Sequence, residues 1–214
     1  ALETDVKQVV SLSTDKACAP INLYGATKLC SDKLFISSNN IKGDKKIKFT
    51  VVRYGNVFAS RGSVIPEFLK QKESGILKVT DKNMTRFNIF MTDAIKMVLW
   101  ACVNSIGGEI FVPKIPSYRV IDLAKIIAPK CKIKFIGIRP GEKIHEVLVS
   151  SSESVNTVDI GKYLVIVNNK KMEKFYLNKK NNKKFSENSN YSSNNEKSLL
   201  TIEKLKKVLK KQAS

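Results

Sequence analysis

The order of three segments near the start limits this chain more than any other feature. Residues 6–13 (VKQVVSLS) carry Val9, Val10 and Leu12 in a run of the length of a buried strand. Over 22–40, Leu23, Ala26, Thr27, Leu29, Leu34 and Phe35 recur at three- and four-residue spacing, which predicts a long helix with that face inward. Residues 49–54 (FTVVRY) predict a second strand. Strand, helix and strand in that order make a βαβ unit, whose two strands lie parallel across a right-handed crossover. The expected fold class is α/β, and the short elements that follow suggest a smaller second domain.

Further along, the spacing predicts helices over 64–74, over 91–104 with Ala94, Ile95, Val98, Leu99 and Ala101 as the apolar face, and over 118–127. Short strands are expected at 109–112 and 132–136. Residues 168–198 are rich in Asn, Lys and Ser, which predicts a mobile linker. Residues 199–214 return to helical spacing through Leu199, Leu200, Ile202, Leu205, Val208 and Leu209, with lysines towards the end. The expected division is 1–60, 61–167 with some elements returning to the sheet, a linker over 168–198 and a closing helix over 199–214.

The net charge of +19 raises the question of a polyanionic partner. Nearly half of it lies after residue 167, where 13 lysines face four glutamates with little aromatic interleaving, so nucleic acid is an unfavoured partner. No apolar run approaches the roughly 20 residues that span a bilayer. Cys18, Cys30, Cys102 and Cys131 form no CxxC pair and His145 is the only histidine, so no metal site is expected. Free thiols and the lack of a signal pattern point to a soluble, cytoplasmic protein.

The chemistry is concentrated in Ser13-Thr14-Asp15-Lys16 and Tyr24-Gly25-Ala26-Thr27-Lys28, at a strand end and on the helix that follows. Tyr24 and Lys28 share a helix face. An ammonium one turn from a phenol favours the phenolate, which turns a poor base into a useful one.

With these two segments, VVRYGNVFASRGSVIPEF, TDKNMTRF and RPGEKIHE resemble, in order and over about 6–167, the extended short-chain dehydrogenase/reductase family and, within it, the inverting UDP-N-acetylglucosamine 4,6-dehydratases of pseudaminic acid biosynthesis. The resemblance implies a Rossmann-like, doubly wound parallel sheet with a smaller α/β substrate-binding domain, 1–60 being the catalytic segment and the remainder of the dinucleotide-binding domain and 61–167 serving mainly the substrate. It also implies a tightly held NADP, with NAD as the alternative. It implies that Tyr24 takes the C4 hydroxyl proton while Lys28 supports it and holds the cofactor ribose, and that Thr14 bonds the same hydroxyl. Asp15 and Lys16 would share C5 deprotonation and protonation of the departing C6 hydroxyl. Lys16 stands where retaining relatives carry glutamate.

Asn56, Arg86, Arg139 and Glu142 resemble the residues that hold the UDP-sugar, the two arginines on the diphosphate. Arg61, Ser63 and Pro66 would shape a substrate loop, and His145 would be supporting. The resemblance also implies a homo-oligomer. No glycine-rich turn follows a strand, so the first half of the dinucleotide-binding domain is expected to be missing and the chain alone inactive. An epimerase of the same family and a non-enzymatic basic binding module are the alternatives.

Overall fold

The computed structural model describes residues 1–60 and 62–213, with side chains as far as Lys210. In chain order these form β1 (Gln8–Thr14), a single 3-10 turn (Asp15–Ala17), α1 (Leu23–Ile41), β2 (Lys48–Tyr54), β3 (Asn56–Val57), α2 (Val64–Lys72), β4 (Ile76–Val79) and β5 (Thr85–Ile89). Then follow α3 (Met91–Asn104), β6 (Ile110–Pro113), β7 (Ser117–Arg119), α4 (Val120–Ile127), β8 (Lys132–Phe135), β9 (Val147–Val149), α5 (Ser151–Ser154), β10 (Thr157–Asp159) and β11 (Tyr163–Ile166). The chain closes with α6 (Lys170–Leu177), β12 (Lys183–Lys184), β13 (Tyr191–Ser192) and α7 (Ile202–Ala213).

Two compact units divide these elements, each built from three separate stretches of chain. The first comprises Ala1–Tyr54, Thr92–Lys114 and Val147–Tyr191. Its sheet runs β1-β2-β6-β11-β10-β12. β1 lies parallel to β2 in register from Gln8 opposite Lys48 to Thr14 opposite Tyr54, and β2 lies parallel to β6, as the βαβ pattern requires. β11, β10 and β12 add antiparallel strands beyond them. Val52, Phe111, Val158 and Val165 from the sheet pack with Met97 and Ala101 of α3, and Trp100 stacks 4.6 Å from Tyr163.

Two readings of helix faces are corrected. In α1 only Gly25 and Asp32 are buried, while Leu23 and Leu34 are 81% and 67% exposed. In α3 the buried residues are Ala94, Met97 and Ala101, and Ile95 and Leu99 face outward. Both helices carry apolar residues around much of their circumference, and spacing alone then cannot say which arc meets the sheet.

The expected linker also differs. Within 168–198, α6 starts at an Asn169 cap and buries Met172, Glu173 and Tyr176. The Tyr176 hydroxyl donates to Glu109 Oε1 at 2.7 Å, and the fully buried Glu109 also accepts from Thr50 Oγ1 and the amides of Ile106 and Gly107. Burial first, and Glu109 second, push the Tyr176 phenol upward and keep it a donor. A polar composition hid this helix because a handful of long-range partners, not its mean hydropathy, hold it.

The second unit comprises Gly55–Met91, Ile115–Glu146 and Ser192–Ser214. It holds the sheet β3-β5-β7 and the parallel pair β4-β8. Phe68 of α2, Leu77 and Val79 of β4, Leu123 and Ala124 of α4 and Leu205 of α7 share one core. Leu205 is fully buried, so the helix expected near the end is an integral part of this unit.

Candidate active site

In the first unit, β1 ends at Thr14, whose side chain caps the following 3-10 turn by accepting from the Lys16 amide at 3.4 Å. Thr14 Oγ1 donates to Asp15 Oδ1 at 2.9 Å, and Lys16 Nζ donates to the same oxygen at 3.1 Å. Asp15 is fully buried and its Oδ2 has no hydrogen-bond partner among the described residues. A desolvated acceptor without a donor is costly unless something else completes it. Lys16 is 30% exposed, so the pair has one sealed member and one accessible member.

The next helix is brought against this turn by a glycine. Asn22 caps α1 by accepting from the Gly25 amide at 2.8 Å. A Cβ on residue 25 would stand 2.3 Å from the Lys16 carbonyl oxygen and 3.0 Å from Pro20 Cβ, so only glycine fits. The neighbouring Tyr24 is exposed, and Lys28 reaches back to donate to the Leu12 carbonyl of β1 at 2.6 Å. Thr14, Asp15 and Lys16 thus meet in one turn, and the close approach at Gly25 sets the start of the helix that carries Tyr24 and Lys28 beside it.

Beneath them lies a buried ionic network that the sequence reading missed. Arg53 of β2 is fully buried, and its NH1 bonds Glu153 Oε1 at 2.9 Å and the Leu148 carbonyl at 3.2 Å. Its NH2 reaches Asp32 Oδ2 at 3.4 Å, an oxygen that also accepts from Ser13 at 2.8 Å. Glu153 forms a capping box with Ser150 and accepts from the thiol of buried Cys18 at 3.3 Å. Desolvation raises Asp32 against the pull of Arg53. In Glu153 the same desolvation is outweighed by Arg53, the Ser150 amide and the Cys18 thiol, so this carboxyl sits below its ordinary value. The only prior signal was an arginine inside the otherwise apolar FTVVRY run.

The second unit holds the other predicted residues. Asn56 begins β3, opposite Asn88 of β5. Arg86 is buried in β5, and its NH1 donates to the carbonyls of Thr85 and Ile144 at 2.8 and 3.1 Å. Its NH2 pairs with Glu142 at 3.3 Å, with Glu146 3.9 Å from Nε. Arg86 and Glu142 therefore meet, whereas Arg139 lies exposed at the start of a turn closed by the Glu142 amide. Arg86 gives this face charge more than open N–H groups. Ser63 is the N-cap of α2 and Pro66 lies in its first turn, so both serve a helix start; Arg61 lies outside the described residues.

A nicotinamide cofactor carries a ribose and a diphosphate that the protein would have to hold. A phenol and an ammonium at Tyr24 and Lys28 fit a ribose diol. The paired glycines offer no phosphate cradle, since the Gly107 amide is bonded to Glu109 at 2.9 Å and the Gly108 amide to the Phe49 carbonyl at 2.8 Å. Among the described residues no cluster of His, Cys, Asp or Glu could hold a metal ion, and no helix is long and apolar enough to cross a membrane.

Residues 1–168 match the family described as polysaccharide biosynthesis protein. The chain belongs to that family. Among curated members and relatives, it is 53% identical over 166 residues to the UDP-N-acetylglucosamine 4,6-dehydratase (inverting) of Campylobacter jejuni, a match that covers 77% of this chain and 50% of that protein. The UDP-glucose 4-epimerase of Rickettsia akari is 39% identical over 217 residues, covering 98% of this chain and 63% of the relative. The crystal structure of Pen from Bacillus thuringiensis superposes with a TM-score of 0.88 at 33% identity, over all of this chain and 65% of that one. The family and α/β fold read from the motifs are borne out, and the chain spans about half the length of the Campylobacter relative.

Proposed function

We propose that this chain supplies the catalytic turn and the nucleotide-sugar contacts of an inverting UDP-N-acetylglucosamine 4,6-dehydratase. The observation that carries the reading is the Thr14-Asp15-Lys16 turn, with its buried carboxylate bridged to an accessible ammonium at 3.1 Å and α1 drawn against it at Gly25. A dehydratase must oxidise C4, remove the proton at C5, expel the C6 hydroxyl and reduce C6. Tyr24 takes the C4 hydroxyl proton, with Lys28 one helical turn away and anchored on the Leu12 carbonyl. Tyr24 and Lys28 would hold the ribose of NADP, which when bound would supply the hydride exchange between C4 and C6. The resulting C4 ketone acidifies C5. Lys16 and Asp15 then share removal of the C5 proton and delivery of a proton to the leaving C6 oxygen, which departs as water, and a proton returned to C5 from the opposite face as C6 is reduced completes the inverted product. Asn56, Arg139, Glu142 and the charge of Arg86 serve the UDP end. The four free cysteines suit a reducing cytoplasm.

The rival is 4-epimerisation, favoured by the name of the Rickettsia relative, whose alignment also spans the lysine-rich end. It needs Tyr24 and the cofactor but no acid/base pair at C5 and C6. Co-expression with the preceding half of the Campylobacter relative, followed by NMR of UDP-N-acetylglucosamine in D₂O, separates the two. A 4-keto-6-deoxy product, inverted and deuterated at C5, is expected. A C4 epimer that retains its C6 hydroxyl would establish epimerisation instead, and no turnover by a soluble, NADP-loaded complex would overturn both.

A further inference from the structure

His145 is the chain's only histidine, and in the second unit it stands at one end of a hydroxyl relay. Thr85 Oγ1 lies 2.8 Å from His145 Nδ1 and 2.6 Å from Ser193 Oγ. Ser193 Oγ accepts from the Glu146 amide at 2.9 Å. Thr85 and Ser193 are both buried, so the few protons in this chain can be placed by asking which arrangement leaves none stranded. If Nδ1 carried the proton, it would donate to Thr85, Thr85 would donate to Ser193, and the Ser193 proton would have no acceptor. The opposite order satisfies every group: Ser193 donates to Thr85, Thr85 donates to Nδ1, and the imidazole proton sits on Nε2. The stranded alternative forfeits a buried hydrogen bond.

The charges around the ring agree with a neutral imidazole. Partial burial and then Arg86 lower His145 below its ordinary value, with Asp81 opposing, while Lys143 and Glu146 flank it along the chain. Nε2 has no hydrogen-bond partner among the described residues. Arg86, by contrast, has both NH1 hydrogens on backbone carbonyls and NH2 on Glu142. Beside this buried arginine, His145 is thus an N–H donor that the described residues leave unused.

We propose that His145 is a further binding residue, locked by the Ser193–Thr85 relay as its Nε2–H tautomer and donating to an acceptor oxygen of a nucleoside diphosphate. The inference rests on the nucleotide-sugar reading above. It also gives residue 193, within the Asn- and Lys-rich stretch, a role in the site. Because the relay fixes which nitrogen is bare, the donor is available at and above neutral pH, and protonation of the ring would require the Thr85 hydroxyl to turn away from Nδ1.

With one histidine, the long-range ¹H–¹⁵N spectrum of the full chain, co-purified with its complementary half carrying unlabelled histidine, reports one imidazole. An Nε2–H pattern is expected, and Thr85→Val should erase the preference. Calorimetry with UDP should show affinity reduced about three- to tenfold in His145→Ala, the worth of one neutral hydrogen bond, and largely kept in His145→Gln, whose amide can replace Nε2–H. Pyrophosphate and uridine, added separately, identify by the Nε2 shift whether phosphate or nucleoside oxygen is the acceptor. An Nδ1–H pattern, or UDP bound equally well by His145→Ala, overturns the inference alone. Failure of every form to bind UDP overturns the nucleotide-sugar reading and the inference with it.

Discussion

The two units position their chemistry by different means. The first places its proposed reactive groups within fifteen residues of one another, from Thr14 to Lys28, and supports them from below with buried charge on Asp32, Arg53 and Glu153. The second gathers Thr85, Arg86, Glu142, His145 and Ser193 from three distant stretches, and ties His145 down with neutral hydroxyls. Buried charge fixes elements against one another but is intolerant of losing a partner. A hydroxyl relay stabilises less and instead decides where a proton sits. Damage to the first unit should therefore appear in stability and turnover, and damage to the second in binding and protonation.

The largest effect that would break this contrast is expected at Gly25. A Gly25→Ala side chain must displace either the Lys16 carbonyl or the start of α1, and a shift of about 1 Å at Tyr24 should lower kcat of the reassembled enzyme on the order of 100-fold. Near-normal turnover would show that the close approach is not needed. Next comes Arg53→Met, which strands Asp32 and Glu153. Urea denaturation should show a loss of about 3–5 kcal/mol, much of it recovered when both carboxylates are replaced by apolar residues of similar size. Because Glu153 titrates lower folded than unfolded, its contribution is present above the unfolded carboxylate value and lost as pH falls through the folded one. Glu153→Gln should accordingly lose most stability near neutral pH and converge with the parent in acid.

A smaller change, about 1–3 kcal/mol, is expected for Tyr176→Phe, which removes one donor from buried Glu109 and loosens α6. Hydrogen exchange should show α6 opening before the sheet. Smallest of all is Lys114→Ala. Its pair with Asp159 is short, 2.6 Å, yet Lys114 is 38% exposed, and thermal unfolding should register less than about 1 kcal/mol.

The amino-acid sequence by itself determined the parallel β1-α1-β2 unit, the helices α2, α3 and α7 and the grouping of Thr14, Asp15 and Lys16 at the end of β1. Each of these rests on residues close in the chain, where period and spacing are direct consequences of backbone geometry. β5 escaped notice because its buried TRFNI segment mixes Thr, Arg and Asn with apolar residues and shows no alternation. Only the tertiary structure decided that Arg53 binds Asp32 and Glu153, that Arg86 faces Glu142, that Tyr176 anchors α6 on Glu109, and that Ser193 reaches Thr85. Those pairings join residues 21 to 108 positions apart, and a polar side chain in a one-dimensional pattern carries no mark of its partner. Burial removes the water that would otherwise satisfy each group, so the fold has to supply the partner from wherever the chain returns.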